Sequence, residues 1–394
     1  MLVINARTVS EALETGLHAI RNFGVPKGSR VGDILVMPNP VMTVYKEPAN
    51  RVLFSPMRDA NPFFHVMESL WMLAGRNDLP WLVRFNKRFS SYSDDGGLTQ
   101  PGAYGYRWRN YFGHDQLMDV ILELKQNPDS RRVVLAMWDG GSREDWNNMS
   151  ELRDYGNDIQ AGDFYAALMG SADVPCNTHA YFDTIDGRLN MTVCCRSNDI
   201  IWGAYGANAV HFSFLLEFLS AAVGIPMGVY RQFSNNFHLY TNIVPRENLM
   251  ALARNVSDTD KYLMKESAHH INRVPAVPAL RKVPLMDQTL ESFESDLQTF
   301  MEHGEGIYVN DFFSKVAQPM YDAHTLYREK DYQGAIDIAL NIKADDWRMA
   351  CVEWLQRKKI RYEQNQKRFI EVAAPEPVVE NNAFGLEERT DGSN

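Results

Sequence analysis

Apolar positions recur along this chain with two periods, and the period changes where elements should change. Val9, Leu13, Leu17 and Ile20 fall at helical spacing behind Thr8-Val9-Ser10-Glu11, which has the form of a capping box, so a helix is predicted from there to about Gly24, ahead of Pro26. Residues 28–32 read as a loop and are followed by short alternating runs, 34–36 and 42–45, that predict strands. Phe64, Met67, Leu70, Trp71 and Leu73 predict a buried helix over 63–74, with Glu68 on it. Leu117, Val120, Ile121 and Leu124 mark an amphipathic helix over 115–126, closed by Asn127-Pro128 and followed by a strand over 133–138. The apolar runs 180–182 and 189–195, joined by Asp186-Gly187, predict a β-hairpin, because that dipeptide supplies the positive φ angles of a tight turn. A dense apolar helix over 212–223 stops at Gly224.

Beyond Pro278 the pattern is helical throughout, over 292–302, 311–327, 332–343 and 345–366. Arg357-Lys358-Lys359 and Lys367-Arg368 make a basic helical face, either solvated or a contact for an acidic partner or nucleic acid. Residues 140–173 are polar and loop-rich, and the Pro-, Glu- and Asn-rich stretch 373–394 is predicted to be disordered. The organisation expected is an α/β (α+β) unit over 1–278, a helical C-terminal extension over 279–372, and a tail.

Composition narrows the function. With 45% hydrophobic and 23% charged residues, the 394-residue chain can build a large core. A net charge of −10 argues against broad nucleic-acid binding and leaves anion recognition to local arginines. Four cysteines, two of them adjacent, do not form a disulfide framework, and no apolar stretch reads as a membrane span. A cytoplasmic protein without metal is expected.

The chemistry concentrates in residues 174–240. Val174-Pro175-Cys176-Asn177 opens the stretch. Arg196-Ser197-Asn198-Asp199, Trp202-Gly203, Asn208 and His238-Leu239-Tyr240 follow, at strand ends and turns where a scaffold can present them. Cys176 is either a nucleophile or an inert buried thiol. Glu68, among large apolar groups, needs a partner or a task. A cysteine hydrolase pairing Cys176 with His238 fits the residue types, although such nucleophiles favour helix N-termini and Cys176 precedes a strand. A silent scaffold whose C-terminal helices bind a partner is the third class.

The set Pro175-Cys176, Arg196-Ser197-Asn198-Asp199, Gly203, Asn208 and His238-Leu239-Tyr240 resembles thymidylate synthase, over roughly residues 8–250. So do Glu68 in its Glu-x-Leu-Trp setting, the Tyr104-Gly105-x-x-Trp108-Arg109 segment, and Asp129-Ser130-Arg131-Arg132. Asn177, where synthases carry His, and the Arg196–Asp199 run are more like the sister family of phage pyrimidine hydroxymethylases.

The resemblance implies a mixed sheet backed by helices and a homodimer with a shared phosphate site. It implies dUMP and 5,10-methylenetetrahydrofolate as substrates, in a bacterial or phage-infected host cytoplasm. Cys176 would add to the pyrimidine, with Glu68 and Tyr104 managing protons through water. Arg30, Arg196 and Ser197, with the partner subunit's Arg131 and Arg132, would hold the phosphate. Asn208 would read the base, and His238 and Tyr240 would bind the sugar hydroxyl. Asp199, Ser90, Trp202 and Gly203 would face the folate.

Where synthases shield their intermediate from water with tryptophan, a gap-free count back from Tyr104 lands on Ser90. The short apolar tail that closes synthases is also missing. The resemblance therefore favours hydroxymethylation of dUMP at C5 over reductive methylation to dTMP. Asn208, where cytosine-specific relatives carry Asp, favours dUMP over dCMP.

Overall fold

Eight strands form one mixed sheet, and its long central strand positions most of the chemistry. The computed structural model describes residues 1–141, 162–263 and 279–373, with side chains to residue 366. The strands are β1 (Leu2–Ala6), β2 (Val25–Ser29), β3 (Gly32–Val36), β4 (Val41–Tyr45), β5 (Val134–Ala136), β6 (Asn177–Ile185), β7 (Arg188–Asp199) and β8 (Met227–Tyr240). Their order is β1-β4-β8-β7-β6-β5, with the β2–β3 hairpin joined to β8 through β3. β8 runs parallel to β7 and antiparallel to β4 and β3, its far end pairing Val36 with His238 and Ile34 with Tyr240.

The helices cover the sheet as the apolar spacing dictates. α1 (Val9–Phe23) starts at Thr8, whose Oγ1 accepts the Glu11 N–H at 3.1 Å, and ends at Gly24. The reciprocal half of the capping box is displaced by one residue, since Glu11 accepts from the Arg7 N–H at 2.6 Å. α2 (Pro62–Leu73) is buried along its whole length, capped by Asn61 with proline in its first turn. α3 (Leu79–Phe85) leads into a 3₁₀ turn, Lys87–Tyr92. α4 (Gln116–Gln126) is capped by Asp115. α5 (Gly162–Leu168) lies inside the stretch expected to be loop-rich, and Arg107 clamps it through a buried bidentate pair with Asp163, both contacts 2.7 Å. Residues 142–161 of that stretch lie outside the described residues.

α6 (Asn208–Val223) is the core helix, with Phe212 against both Trp108 and Tyr104. Counted with the irregular turns before it, 200–223 is long and apolar enough to pass for a membrane span, contrary to the sequence reading, yet most of its apolar stretch is buried inside the fold. α7 (Leu249–Thr259) packs on α1.

The C-terminal helices α8 (Leu290–His303), α9 (Gln318–Arg328), α10 (Tyr332–Ala339) and α11 (Asp345–Ala373) continue the same core. Phe63 of α2 meets Trp354 of α11 at 5.6 Å, and Phe218 of α6 meets Phe293 of α8 at 5.4 Å. Residue 278, the expected boundary, and all of the expected tail except Ala373 lie outside the described residues.

Three local expectations change. Residues 28 and 29 belong to β2, leaving only Arg30-Val31 as the turn, because Val25–Ser29 pairs along its length with Gly32–Val36. β7 runs on through Arg196 to Asp199, held there by β8. The helix predicted to begin at residue 212 begins at Asn208, preceded by π-type turns over Ile200–Ala207 with a kink at Tyr205-Gly206.

Candidate active site

Cys176 sits immediately before β6, half-buried, where three elements converge. The Tyr104 Oη accepts the N–H groups of both Cys176 and Asn177 at 3.2 Å, fixing the backbone around the thiol. From β7, Arg196 donates Nε to the Pro175 carbonyl and Nη2 to the Val174 carbonyl, each at 2.9 Å. The guanidinium is therefore first a clamp on the strand carrying the thiol, and its Nη1 remains for an anion. Burial pushes the Cys176 thiol up, Arg196 pulls it down, and the Asp173 carboxylate pushes it up again. Ser197 follows on β7, paired with Asn236, and its carbonyl accepts from the Cys195 thiol at 3.1 Å. Cys195 is buried as expected of a core residue; Cys194, expected to be core too, is only half-buried.

Asn208 opens α6 and lies in a chain of amides. The Asn177 Nδ2 donates to the Asn208 Oδ1 at 3.1 Å, the Asn208 Nδ2 to the Asn198 Oδ1 at 3.1 Å, and the Asn198 Nδ2 to the Ser234 Oγ at 2.9 Å. All four residues are buried. Asn177, which departs from the synthase pattern, and Asn198, of the Arg196–Asp199 run, are thus the two neighbours of Asn208. Gly203 backs onto this chain: a Cβ there would stand 2.5 Å from the Asn198 Oδ1.

Asp199 ends β7 opposite His238 and accepts the Trp202 N–H at 2.5 Å. Its Oδ1 is buried with no hydrogen-bond partner among the described residues. Burial pushes this carboxyl up, against the pull of the Trp202 N–H, His238 and Arg58. Trp202 is 47% exposed and lies between two guanidinium groups, Arg58 at 5.2 Å and Arg88 at 5.7 Å. Arg88 belongs to the same 3₁₀ turn as Ser90, which is exposed and spends its hydroxyl on the Lys87 carbonyl at 3.0 Å. His238 and Tyr240 meet edge to face at 5.1 Å. Burial, then Asp199, Cys176 and Tyr92, push the Tyr240 hydroxyl up, and Arg30 on the β2–β3 turn pulls it down. Arg30, Tyr240, Asp199 and Cys176 therefore share one electrostatic neighbourhood.

Glu68 lies on the buried face of α2, its Oε2 2.9 Å from the Nε2 of His211 on α6. Arg131 and Arg132 do not join this group. Both are exposed before β5, where Val134 pairs with Tyr181 and Ala136 with His179. That register sets Arg132 about seven strand residues from Cys176, on the order of 20 Å.

Sequence reading did not pick out the contacts of His211, Arg58 or Asp173; Tyr92 it named as a residue that could shield the intermediate from water. His211 stands one helical turn from Asn208, a signal that could have found it. Arg58 and Asp173 are recognisable only once the fold has brought distant segments together.

The Asp199 Oδ1 without a partner, the exposed Trp202 ring and the small Gly203 fit a folate ring system, which carries amide and amine hydrogens on a flat face. A family model described as Thymidylate synthase matches residues 57–277. A deoxyuridylate hydroxymethyltransferase of Pseudomonas phage M6 is 42% identical over 93% of this chain and 97% of its own length. Another, of Bacillus phage SP01, is 35% identical over 55% of this chain and 52% of its own. A thymidylate synthase of Symbiobacterium thermophilum is 28% identical over 46% and 60%. With that match spanning more than half of the chain, this protein belongs to the thymidylate synthase family.

Proposed function

We propose that the protein is a deoxyuridylate hydroxymethyltransferase, a cytoplasmic one-carbon transferase that converts dUMP to 5-hydroxymethyl-dUMP and regenerates tetrahydrofolate. The observation that carries this reading is the likeness to the enzyme of Pseudomonas phage M6 along nearly all of both chains. Bound methylenetetrahydrofolate supplies a one-carbon unit at the oxidation level of formaldehyde.

The chain's own residues do the rest. The Cys176 thiolate, stabilised by Arg196, forms a bond to C6 and sends an electron pair to O4, which makes C5 nucleophilic. Once C5 has gained its carbon, loss of the C5 proton with release of the carbon from tetrahydrofolate leaves an exocyclic methylene conjugated with the C4 carbonyl, while C6 stays bonded to sulfur. Water adds to that methylene and gives up a proton, the electron pair returns to O4, and collapse of the enolate expels the Cys176 thiolate. Glu68, with Tyr104, handles the protons. Arg30, Arg196 through its Nη1, and Ser197 bind the phosphate, with Arg131 and Arg132 reaching in from the partner of a homodimer. His238 and Tyr240 take the sugar hydroxyl. Asn208 offers its remaining N–H and lone pair to O4 and N3–H of uracil. Asp199, Trp202 and Gly203 receive the folate, with Ser90 beside them.

Exclusion of water is what a synthase needs and a hydroxymethylase must avoid. An exposed serine at position 90 with its hydroxyl already engaged excludes nothing. Incubating the protein with dUMP and methylenetetrahydrofolate should give the mass of 5-hydroxymethyl-dUMP without dihydrofolate absorbance. Stoichiometric dihydrofolate with the mass of dTMP would make it a synthase instead.

A further inference from the structure

Among the described residues, Glu68 and His211 are two buried ionisable side chains that meet without forming an aligned hydrogen bond. His211 lies on α6 and Glu68 on α2, and both are buried. The two atoms 2.9 Å apart, His211 Nε2 and Glu68 Oε2, have no other partner among the described residues, and in the free protein they lack hydrogen-bond alignment with each other. His65, one turn before Glu68, is held down to about 3 by burial and by the charges of His211 and Arg58, so it stays neutral and offers Glu68 no positive charge. His211 is also three residues from Asn208, so the groups facing the base and the carboxylate share one helical face.

We propose that His211 is a positioning residue for Glu68, donating its Nε2–H to Oε2 so that the other carboxylate oxygen stays ionised and aimed to take the proton of the attacking water. A buried carboxylate without a hydrogen-bond donor is strongly disfavoured and takes up a proton itself, which would end its use as a base. With His211 in place one oxygen is committed and the other is free. As the water oxygen bonds to the exocyclic carbon, its proton passes to that free oxygen. The unaligned contact tightens when the nucleotide and folate close the site, a change common in acid–base pairs seen without substrate.

This inference rests on the proposed role of Glu68. Three full-length variants separate the two: His211→Leu, His211→Gln and Glu68→Gln, each checked for melting temperature and for dUMP binding. The amide of glutamine reaches the same place as the imidazole Nε2 and can donate, whereas leucine cannot. His211→Leu should lose about tenfold to a hundredfold in kcat, the effect of one hydrogen bond to a charged group, with KM for dUMP unchanged. His211→Gln should recover most of that loss. If leucine at 211 left kcat at the wild-type value, or if both variants fell equally while remaining folded and binding dUMP, the positioning role would be overturned. Should the leucine variant fail to fold, the glutamine variant decides by itself: kcat within about threefold of wild type upholds the role, and a loss of tenfold or more removes it. Undiminished turnover by Glu68→Gln would instead overturn the role of Glu68.

Discussion

At the residue scale the site is built less from single groups than from groups that fix one another. Arg196 secures the backbone of Val174 and Pro175, so its substitution should disturb the position of the proposed nucleophile as well as the proposed anion binding. Cys176→Ser, by contrast, changes only the attacking atom. It should abolish turnover while isothermal titration still shows dUMP binding, and near-normal turnover by the serine variant would end the covalent mechanism. Asn208 gives a second test. Its Oδ1 accepts from Asn177 and its Nδ2 donates to Asn198, so one lone pair and one N–H remain for the base reading proposed for it. Asn208→Asp keeps the acceptor facing Asn177 and removes the donor to Asn198, whose amide must then turn round. A protonated aspartic acid can meet the amino edge of cytosine, so the kcat/KM ratio of dUMP to dCMP should fall by about tenfold or more, the worth of one buried hydrogen bond. An unchanged ratio would take Asn208 out of base reading.

At the element scale, the basic face of α11 is engaged within the fold at its centre. Arg357, Lys358 and Arg361 converge on Asp59, at 2.5, 3.0 and 3.3 Å. Asp59 sits in the left-handed region, with φ of 47°, directly after Arg58, whose guanidinium holds the Ile201 carbonyl and faces Trp202. The C-terminal helix α11 is in this way tied to the loop that braces the turn carrying Ile201 and Trp202. Burial alone would push the Asp59 carboxyl up, but hydrogen bonds from Arg357 and Lys358, and their charges, outweigh it and leave it below its ordinary value. A carboxyl depressed by folding stabilises the protein above its unfolded pKa, and that contribution fades as pH falls through the folded value. Asp59→Asn should therefore cost about 1–2 kcal/mol in urea unfolding at pH 7, above the range for exposed pairs because three cations share one part-buried carboxylate. The gap between wild type and variant should narrow below about pH 4; a gap independent of pH would remove the ion cluster as its cause.

These elements also show what was legible beforehand. α1 could be read because Thr8, four apolar positions and Gly24 agree on it locally. The end of β7 could not, since Arg196–Asp199 carries no strand pattern and is extended only because β8 pairs with it. The π-type turns over Ile200–Ala207 escaped for the same reason, their kink being set by packing with no local signal. Motif spacing singles out Cys176, Tyr104, Asp199 and Asn208 as candidates, whereas the Asn177–Asn208–Asn198 chain and the Glu68–His211 contact exist only once separate elements pack together.

At the scale of the whole molecule, the sheet order separates two sets of arginines that the proposed mechanism needs together. Arg30 and Arg196 lie toward the Cys176 end, on the β2–β3 turn and β7, while Arg131 and Arg132 stand exposed at the opposite end of the outer strand β5. No motion of a three-residue edge strand brings them across the sheet to their own thiol. A second copy related by a two-fold axis can present them to it, and the same operation presents the first copy's pair to the second thiol. Guanidinium forks suit that task because they bind phosphate bidentately and keep their charge. Arg131→Ala should therefore weaken activity by about tenfold to a hundredfold, because the phosphate in the other subunit's pocket then has one guanidinium fewer to hold it. Mixing this variant with Cys176→Ser and allowing subunits to exchange gives heterodimers in which one pocket has both a sound cysteine and a sound arginine, and the other has neither. With random pairing, half of the dimers are mixed and half of their pockets work, so activity should recover to about a quarter of wild type. If the arginines served their own chain, the pocket with the sound cysteine would still lack its arginine, and the mixture would show no gain over the average of the two variants.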